Sequence, residues 1–415
     1  MKRNFRIIGA LALSAMLAVT GCSGNQKTTA KAKSTTSPVV TETATEQAAQ
    51  SDKAAGKVSK NDRKGTIQDI TSQELLDEMT LGWNLGDSLD VCAADRDGDG
   101  QVNEVPEDGK VDETLWGNVE TKKEIFETLK AQGINAVRIP VTWRDHMGAA
   151  PDYTIDEEWM NRVQEVVNYA YDLDMYVIIN VHHDGGGDPA FGAWIRNAST
   201  DKEKVIARYK AVWEQIANRF QNYSDHLIFE SMNEVGFDDL EEADAYQLLN
   251  EMNQTFVDLV RSSGGNNAKR HLLIAGYWTD IAACTNENFQ MPKDEQNRCI
   301  LSVHYYTPWQ FCTTNQQNTW GSDAEVEEMA GKIALLKEYF TDKKIPVLVG
   351  EFGTGLDNDT KSRIKFCKEL TRRCKKIGIP VFFWDNGGEF DRENLTWRTK
   401  GLAEAMLKAA KTDKK

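Results

Sequence analysis

Eight short apolar runs alternate with amphipathic stretches through most of this chain, and that alternation limits the possible folds more than any single motif. The runs occupy residues 81–85, 136–141, 176–181, 227–231, 272–275, 300–304, 347–350 and 381–384. Each is short and apolar on successive positions, the pattern of a strand buried on both faces of a parallel sheet. Between them lie helical patterns, for example Trp159, Val163, Val166, Val167 and Ala170, whose spacing puts all five on one face. Strand and helix in strict alternation imply right-handed crossovers. Eight such units over about 340 residues predict an α/β fold, a single (β/α)8 TIM barrel. Local punctuation points the same way. Thr121 and Glu124 are spaced as a capping box, while Gly133 and Gly378 stand where helices stop before the next strand.

The barrel does not begin at residue 1. Lys2, Arg3 and Arg6 precede an apolar run from Ile7 to Val19, and Val19-Thr20-Gly21-Cys22 closes it with small residues and a cysteine. That pattern resembles a bacterial lipoprotein signal, so residues 1–21 are expected to be removed and Cys22 to carry the lipid anchor. The expected location is the cell surface, outside the cytoplasmic membrane. Residues 22–65 are mostly Thr, Ala, Lys, Ser and Gln, too poor in large apolar groups to offset the entropy of ordering, and are expected to form a disordered linker. Residues 66–415 then form the barrel. Cys92, Cys284, Cys299, Cys312, Cys367 and Cys374 permit disulfides in an exported chain, with no pairing deducible.

A net charge of -15 excludes nucleic acid as a natural partner and suits a neutral ligand. The chain has 11 tryptophans, whose flat faces suit a sugar groove.

In a parallel barrel the C-terminal strand ends carry the chemistry. Read in order, they supply Arg138, then His182 and His183, then Asn233 and Glu234, then His304 and Tyr306, then Glu351, and last Trp384. A glutamate at a strand end commonly does no more than pair with a nearby Lys or Arg. Two of them after separate strands are the acid/base and nucleophile pair that glycoside hydrolysis requires.

The set Arg138, His182, Asn233-Glu234, His304-Tyr305-Tyr306, Glu351 and Trp384 resembles glycoside hydrolase family 5. The words Gly82-Trp-Asn-Leu-Gly86, Gly133-Ile-Asn-Ala-Val-Arg-Ile-Pro-Val-Thr-Trp143, Val177-Ile-Ile-Asn-Val-His-His-Asp184 and Phe383-Trp-Asp-Asn-Gly387 are similar to its endoglucanase branch, subfamily 4 above all. The resemblance implies a monomeric retaining endo-β-1,4-glucanase acting on cellulose-like, mixed-linkage or xyloglucan polysaccharide without a cofactor. Glu351 would be the nucleophile and Glu234 the acid/base, about 5 Å apart. Arg138 and Tyr306 would hold Glu351, Asn233 would bind the sugar 2-hydroxyl, His182 and His304 would orient hydroxyls and the acid/base, and Trp384 would floor the subsite. Trp143, Trp194, Trp278 and Trp309 follow strand ends, and of these Trp194 and Trp309 are the expected sugar platforms. The alternatives are a mannanase or xylanase on the same scaffold, or a surface carbohydrate-binding lipoprotein without catalysis.

Two metal readings arise. His182 and His183 are adjacent, and neighbours on a strand point to opposite faces, which argues against one shared ion. Asp95, Asp97 and Asp99 followed by Gly100 match the start of a calcium loop, but position twelve is Pro106 and the acid, Glu107, comes one place late. A weak structural calcium site and a solvated acidic turn both remain open. Relatives of this branch commonly read Asn-Thr where this chain has Asp87-Ser88, and the aspartate is expected either to alter the sugar contacts or to pair with the Asp95 loop.

Overall fold

The computed structural model describes residues 65–94, 110–185 and 192–411. Its eight parallel strands close in sequence order into a barrel. They are β1 Gly82–Asn84, β2 Ala136–Ile139, β3 Tyr176–Asn180, β4 Leu227–Glu230, β5 Leu272–Asp280, β6 Cys299–Tyr305, β7 Val347–Phe352 and β8 Val381–Phe383. Only β5 departs far from its expected run, extending to Asp280 with a register shift against β6 after Ala275. Before the barrel comes α1 Ser72–Glu78. After β1 to β4 come α2 Lys123–Gln132, α3 Glu157–Tyr171, α4 Lys202–Arg219 and α5 Glu242–Ser262. The short α6 Trp309–Cys312 and then α7 Asp323–Tyr339 follow β6, with α8 Thr360–Lys376 after β7. A small hairpin, β9 Phe390–Asp391 with β10 Thr396–Trp397, precedes α9 Leu402–Ala410. Strict alternation fails once: between β5 and β6 there is a 3-10 turn, Ala283–Thr285, in place of a helix. Residues 286–298 are polar and lack the periodic apolar stripe that a covering helix needs.

Side-chain alternation sorts the core into two layers. Ala136, Ile178, Ile228, Leu273, Ile300, Leu348 and Phe382 fill the barrel interior, and Leu75, Leu76 and Met79 of α1 close its base. The alternate residues, such as Val137, Ile139, Val177, Ile179 and Phe229, face the surrounding helices. Gly82 is required here, because a Cβ at that position would lie 2.2 Å from the Phe382 ring. One step further along the strands, the same inward parity brings Asn84, Arg138, Asn180, Glu230 and Ser302, all buried. The floor of the barrel mouth is therefore polar and walled off from water.

Helix ends match the sequence in part. Gly133 closes α2 in the left-handed region, with φ 105°, and Gly378 does so after α8, with φ 78°. The capping box expected at Thr121 does not form. Lys122 is the N-cap residue of α2 and makes no side-chain cap bond, while the Thr121 N–H donates to Glu113 at 2.9 Å. Capping boxes form instead at Thr71 for α1 and at Ser322 for α7. All six cysteines of the barrel are free thiols, so the disulfides that their even count allowed are absent among the described residues. The leader with Cys22, the linker up to residue 64 and the Asp95, Asp97 and Asp99 loop lie outside the described residues.

Candidate active site

Arg138 is the hub of the barrel mouth. It stands on β2 in register with Asn84 on β1 and is fully buried. Its Nε donates to Glu230 Oε2 at 2.6 Å, Nη1 to Glu351 Oε1 at 2.6 Å and to Asn84 Oδ1 at 3.1 Å, and Nη2 to Asn233 Oδ1 at 2.9 Å. Burial works against its charge, but Glu230 and then Glu351 reverse that and hold the guanidinium above its ordinary range.

Glu351, on β7, also accepts a hydrogen bond from Tyr306 Oη at 3.0 Å. Burial first, then the charges of Glu351 and Glu234, push the Tyr306 phenol well up, so it stays a donor. His304 on β6 joins the two carboxylates. Its Nδ1 lies 2.7 Å from Glu234 Oε1 and 3.6 Å from Glu351 Oε2. Burial opposes the imidazolium, but the Glu351 charge and the bond to Glu234 raise His304 above its ordinary value. One oxygen of each carboxylate and the His304 nitrogen all lie within 4.8 Å of one another. The Glu351 side chain is 7% exposed and that of Glu234 33%, so only the latter can readily exchange protons with water.

His182 and His183 sit just beyond the end of β3, where strand alternation no longer applies. The argument that they face apart therefore fails. Their rings meet at 4.6 Å, and their Nε2 atoms lie 4.0 and 3.9 Å from the same Asp90 oxygen. Burial, then Asp87 beside it, raises the Asp90 carboxyl to about 7. Three such groups resemble a metal site, but tautomer chemistry opposes it. Asn180 Oδ1 accepts from Val141 N–H, which turns its Nδ2 toward His182 Nδ1 at 3.1 Å. His182 Nδ1 is thus the acceptor, and its Nε2 carries the proton rather than a free lone pair. Burial keeps this ring neutral, well below its ordinary value.

These groups open into one cleft of about 550 Å³, lined by His182, His183, Asn233, Glu234, Tyr306, Glu351 and Trp384 among others. Trp384 stacks on His182 with ring centroids 5.8 Å apart and planes 7° apart. Gly86 makes room for its ring, since a Cβ there would come within 2.7 Å of it. Trp309, on α6, lines the same cleft and is 59% exposed, a free aromatic face.

Trp194 is not in this cleft. Its ring is buried, its Nε1 donates to Asp184 at 2.5 Å, and Arg208 covers one face at 4.3 Å. It is a wall residue that fixes Asp184, which also receives the Trp143 N–H at 2.6 Å. Trp143 is likewise buried, with Nε1 on the Asn180 carbonyl, and Trp278 bonds Asp238 outside the cleft lining. Trp116, which the strand-end reading does not name as a sugar platform, lines the cleft beside His183, with rings 5.5 Å apart. Asp87 lines it too, held by Asn118 Nδ2 on its carbonyl. Asn84, Asp90, Asn180, Glu230 and Ser302 also escaped sequence reasoning. Strand parity was the available signal for Asn84, Asn180, Glu230 and Ser302, each two positions from an inward residue, whereas Asp90 lies in the loop after β1, where parity gives none.

The pair of carboxylates on a barrel rim is matched by sequence. Residues 99–390 match the family model described as cellulase (glycosyl hydrolase family 5). Endoglucanase B of Clostridium cellulovorans is 37% identical over 84% of this chain and 78% of its own length. Endoglucanase A of Ruminococcus albus is 37% identical over 84% of this chain and 95% of its own. Among solved structures, a GH5-4 broad specificity endoglucanase from Ruminococcus champanellensis with bound cellotriose superposes with a TM-score of 0.73 at 36% identity, covering 83% of this chain and all of that one.

Proposed function

The chain belongs to the cellulase family, glycosyl hydrolase family 5, and from that premise we propose that Glu351 is the nucleophile and Glu234 the acid/base. Its activity is that of an endo-β-1,4-glucanase. The observation that carries the assignment is the approach of the two carboxylates to within 4.8 Å at the ends of β7 and β4. Retaining enzymes hold their carboxyl groups about 5 Å apart, whereas inversion needs room for a water and roughly 6.5–9.5 Å. Glu351, clamped by Arg138 and Tyr306, attacks the anomeric carbon and displaces the leaving oxygen, which takes its proton from Glu234. Glu234 then draws a proton from the incoming water as the glycosyl ester breaks. Asn233 gives its oxygen to Arg138, which leaves its two N–H donors for the sugar 2-hydroxyl. His304 keeps Glu234 facing Glu351, while His182 and His183 offer N–H groups to the sugar over the Trp384 floor.

The test is reducing-sugar release by the chain lacking residues 1–64 on barley glucan, carboxymethylcellulose, xyloglucan, mannan and xylan. Activity is expected on the glucans, with products of retained configuration, and none with Glu351→Gln or Glu234→Gln. Turnover surviving in Glu351→Gln refutes the assignment.

For the N-terminal segment we propose cleavage before Cys22, lipidation of its thiol and display of the barrel on the cell surface as a monomer. The supporting features are the basic start, the apolar run from Ile7 and the Thr20-Gly21-Cys22 ending. Cys22→Ala is expected to leave the membrane fraction. Mass spectrometry of a mature chain that begins anywhere but Cys22 would sink the proposal.

A further inference from the structure

One buried carboxylate at the centre of the barrel has no part in the double displacement. Glu230 ends β4 in register with Asn180 on β3 and is fully buried. Its Oε2 accepts from Arg138 Nε at 2.6 Å and Asn180 Nδ2 at 3.1 Å, and its Oε1 from Ser302 Oγ at 2.6 Å. The guanidinium and the amide can only donate, so Glu230 Oε2 accepts from both, and Arg138 and Glu230 form a buried ion pair. The Arg138 guanidinium thus lies between two carboxylates at equal distance, Glu230 on Nε and Glu351 on Nη1.

A fork with this many assigned donors has one orientation. With Nε pinned by Glu230, Nη1 and Nη2 must point at Glu351 and Asn233. The charge consequence is as important as the aim. A guanidinium paired with Glu351 alone would stabilise the ionised nucleophile so strongly that attack would be slow, because the carboxylate loses that charge as the ester forms. A second anion on the same cation takes up part of that field.

We propose that Glu230 is a positioning residue that aims Arg138 and divides its charge, setting how basic the nucleophile is. This rests on the assignment of Glu351 as nucleophile.

The perturbation is Glu230→Gln, which has the same shape. Its amide oxygen can still accept from Arg138 and Asn180, and its NH2 can donate to Ser302 once that hydroxyl rotates, so only the charge is removed. The acid limb of the pH profile of kcat/KM on soluble β-glucan is expected to move down by about one pH unit, with kcat reduced roughly tenfold and KM little changed. Glu230→Asp keeps the charge but not the reach. It should lose kcat while its acid limb stays at the wild-type position. A merely structural role predicts uniform loss with no displaced limb.

If Glu230→Gln does not fold, Ser302→Ala decides the matter. It strips the hydrogen bond that disperses the Glu230 charge, so the limb should move the opposite way, to higher pH. An unmoved limb in Glu230→Gln, or in Ser302→Ala where the former does not fold, overturns the proposal. With Glu351→Gln inactive, that result sinks the role of Glu230 alone; with Glu351→Gln active, the nucleophile assignment itself falls.

Discussion

Tyr306→Phe isolates one hydrogen bond at the nucleophile without changing the shape of the site. The phenol donates to Glu351 Oε2 at 3.0 Å, while Arg138 holds the other oxygen at 2.6 Å. Removing the hydroxyl leaves the ring, the arginine and the fold in place. A hydrogen bond to a charged group is worth roughly 1.5–3 kcal/mol, and 1.36 kcal/mol equals one pH unit of titration. The ionised form of the nucleophile therefore loses stabilisation, and more alkaline solution is needed to deprotonate it. The sign is unambiguous: the acid limb of kcat/KM moves to higher pH, by about one to two units if the site does not relax. The assay is kcat/KM on soluble mixed-linkage glucan from pH 4 to 9, since that ratio reports groups of the free enzyme. Thermal unfolding should be little changed, as Tyr306 is half-buried and keeps its ring contacts. A limb that stays put, or moves down, refutes the reading that Tyr306 stabilises the carboxylate.

Arg138→Lys places one nitrogen where three now serve Glu230, Glu351, Asn84 and Asn233, leaving a buried carboxylate without a strong partner. Denaturant unfolding should show a loss of about 3–5 kcal/mol, and a loss under about 1 kcal/mol would contradict the hub role. Trp309→Ala removes an exposed face of the cleft, so KM on polymer should rise about tenfold with unfolding temperature unchanged, the signature of lost uniform binding. Trp194→Phe should do the reverse, lowering unfolding temperature by several degrees through the lost Asp184 bond while KM holds. Dithiothreitol should change neither activity nor unfolding temperature, because the six barrel cysteines are free; a clear drop would show a disulfide.

Strands were legible because a parallel strand buried on both faces reads as a short, nearly continuous apolar run, even where one inward position is polar. The residues at their ends were legible because the barrel itself says where to look. What failed was anything that depends on a side chain's partner rather than its place. Trp194 and Trp309 both follow strand ends, but Arg208 and Asp184 enclose the first while the second is 59% exposed. Thr121 has the right spacing for a cap, yet Glu113, distant in the helix pattern, takes its N–H and the helix starts one residue later. His182 and His183 were judged by strand geometry although β3 ends at Asn180.

Glu230 shows the same boundary from the other side. It lies two positions from Ile228, which faces the barrel interior, so alternation alone placed a carboxylate there. No sequence rule says which cation answers it, because Arg138 comes from a different strand and meets Glu351 as well. The architecture explains why the arrangement is tolerated. Below these groups the barrel is filled by Ile178, Ile228, Ile300, Leu348 and Phe382, with α1 beneath, so no water reaches them from the base. In such surroundings an unpaired carboxylate costs several kcal/mol. Arg138 instead pairs with both carboxylates, and His304, held above its ordinary value, lies between Glu351 and Glu234. The charge around Glu351 is thus set in part by Arg138 and Glu230, which do not line the cleft, and shifting it should displace the pH profile before it alters the affinity for glucan.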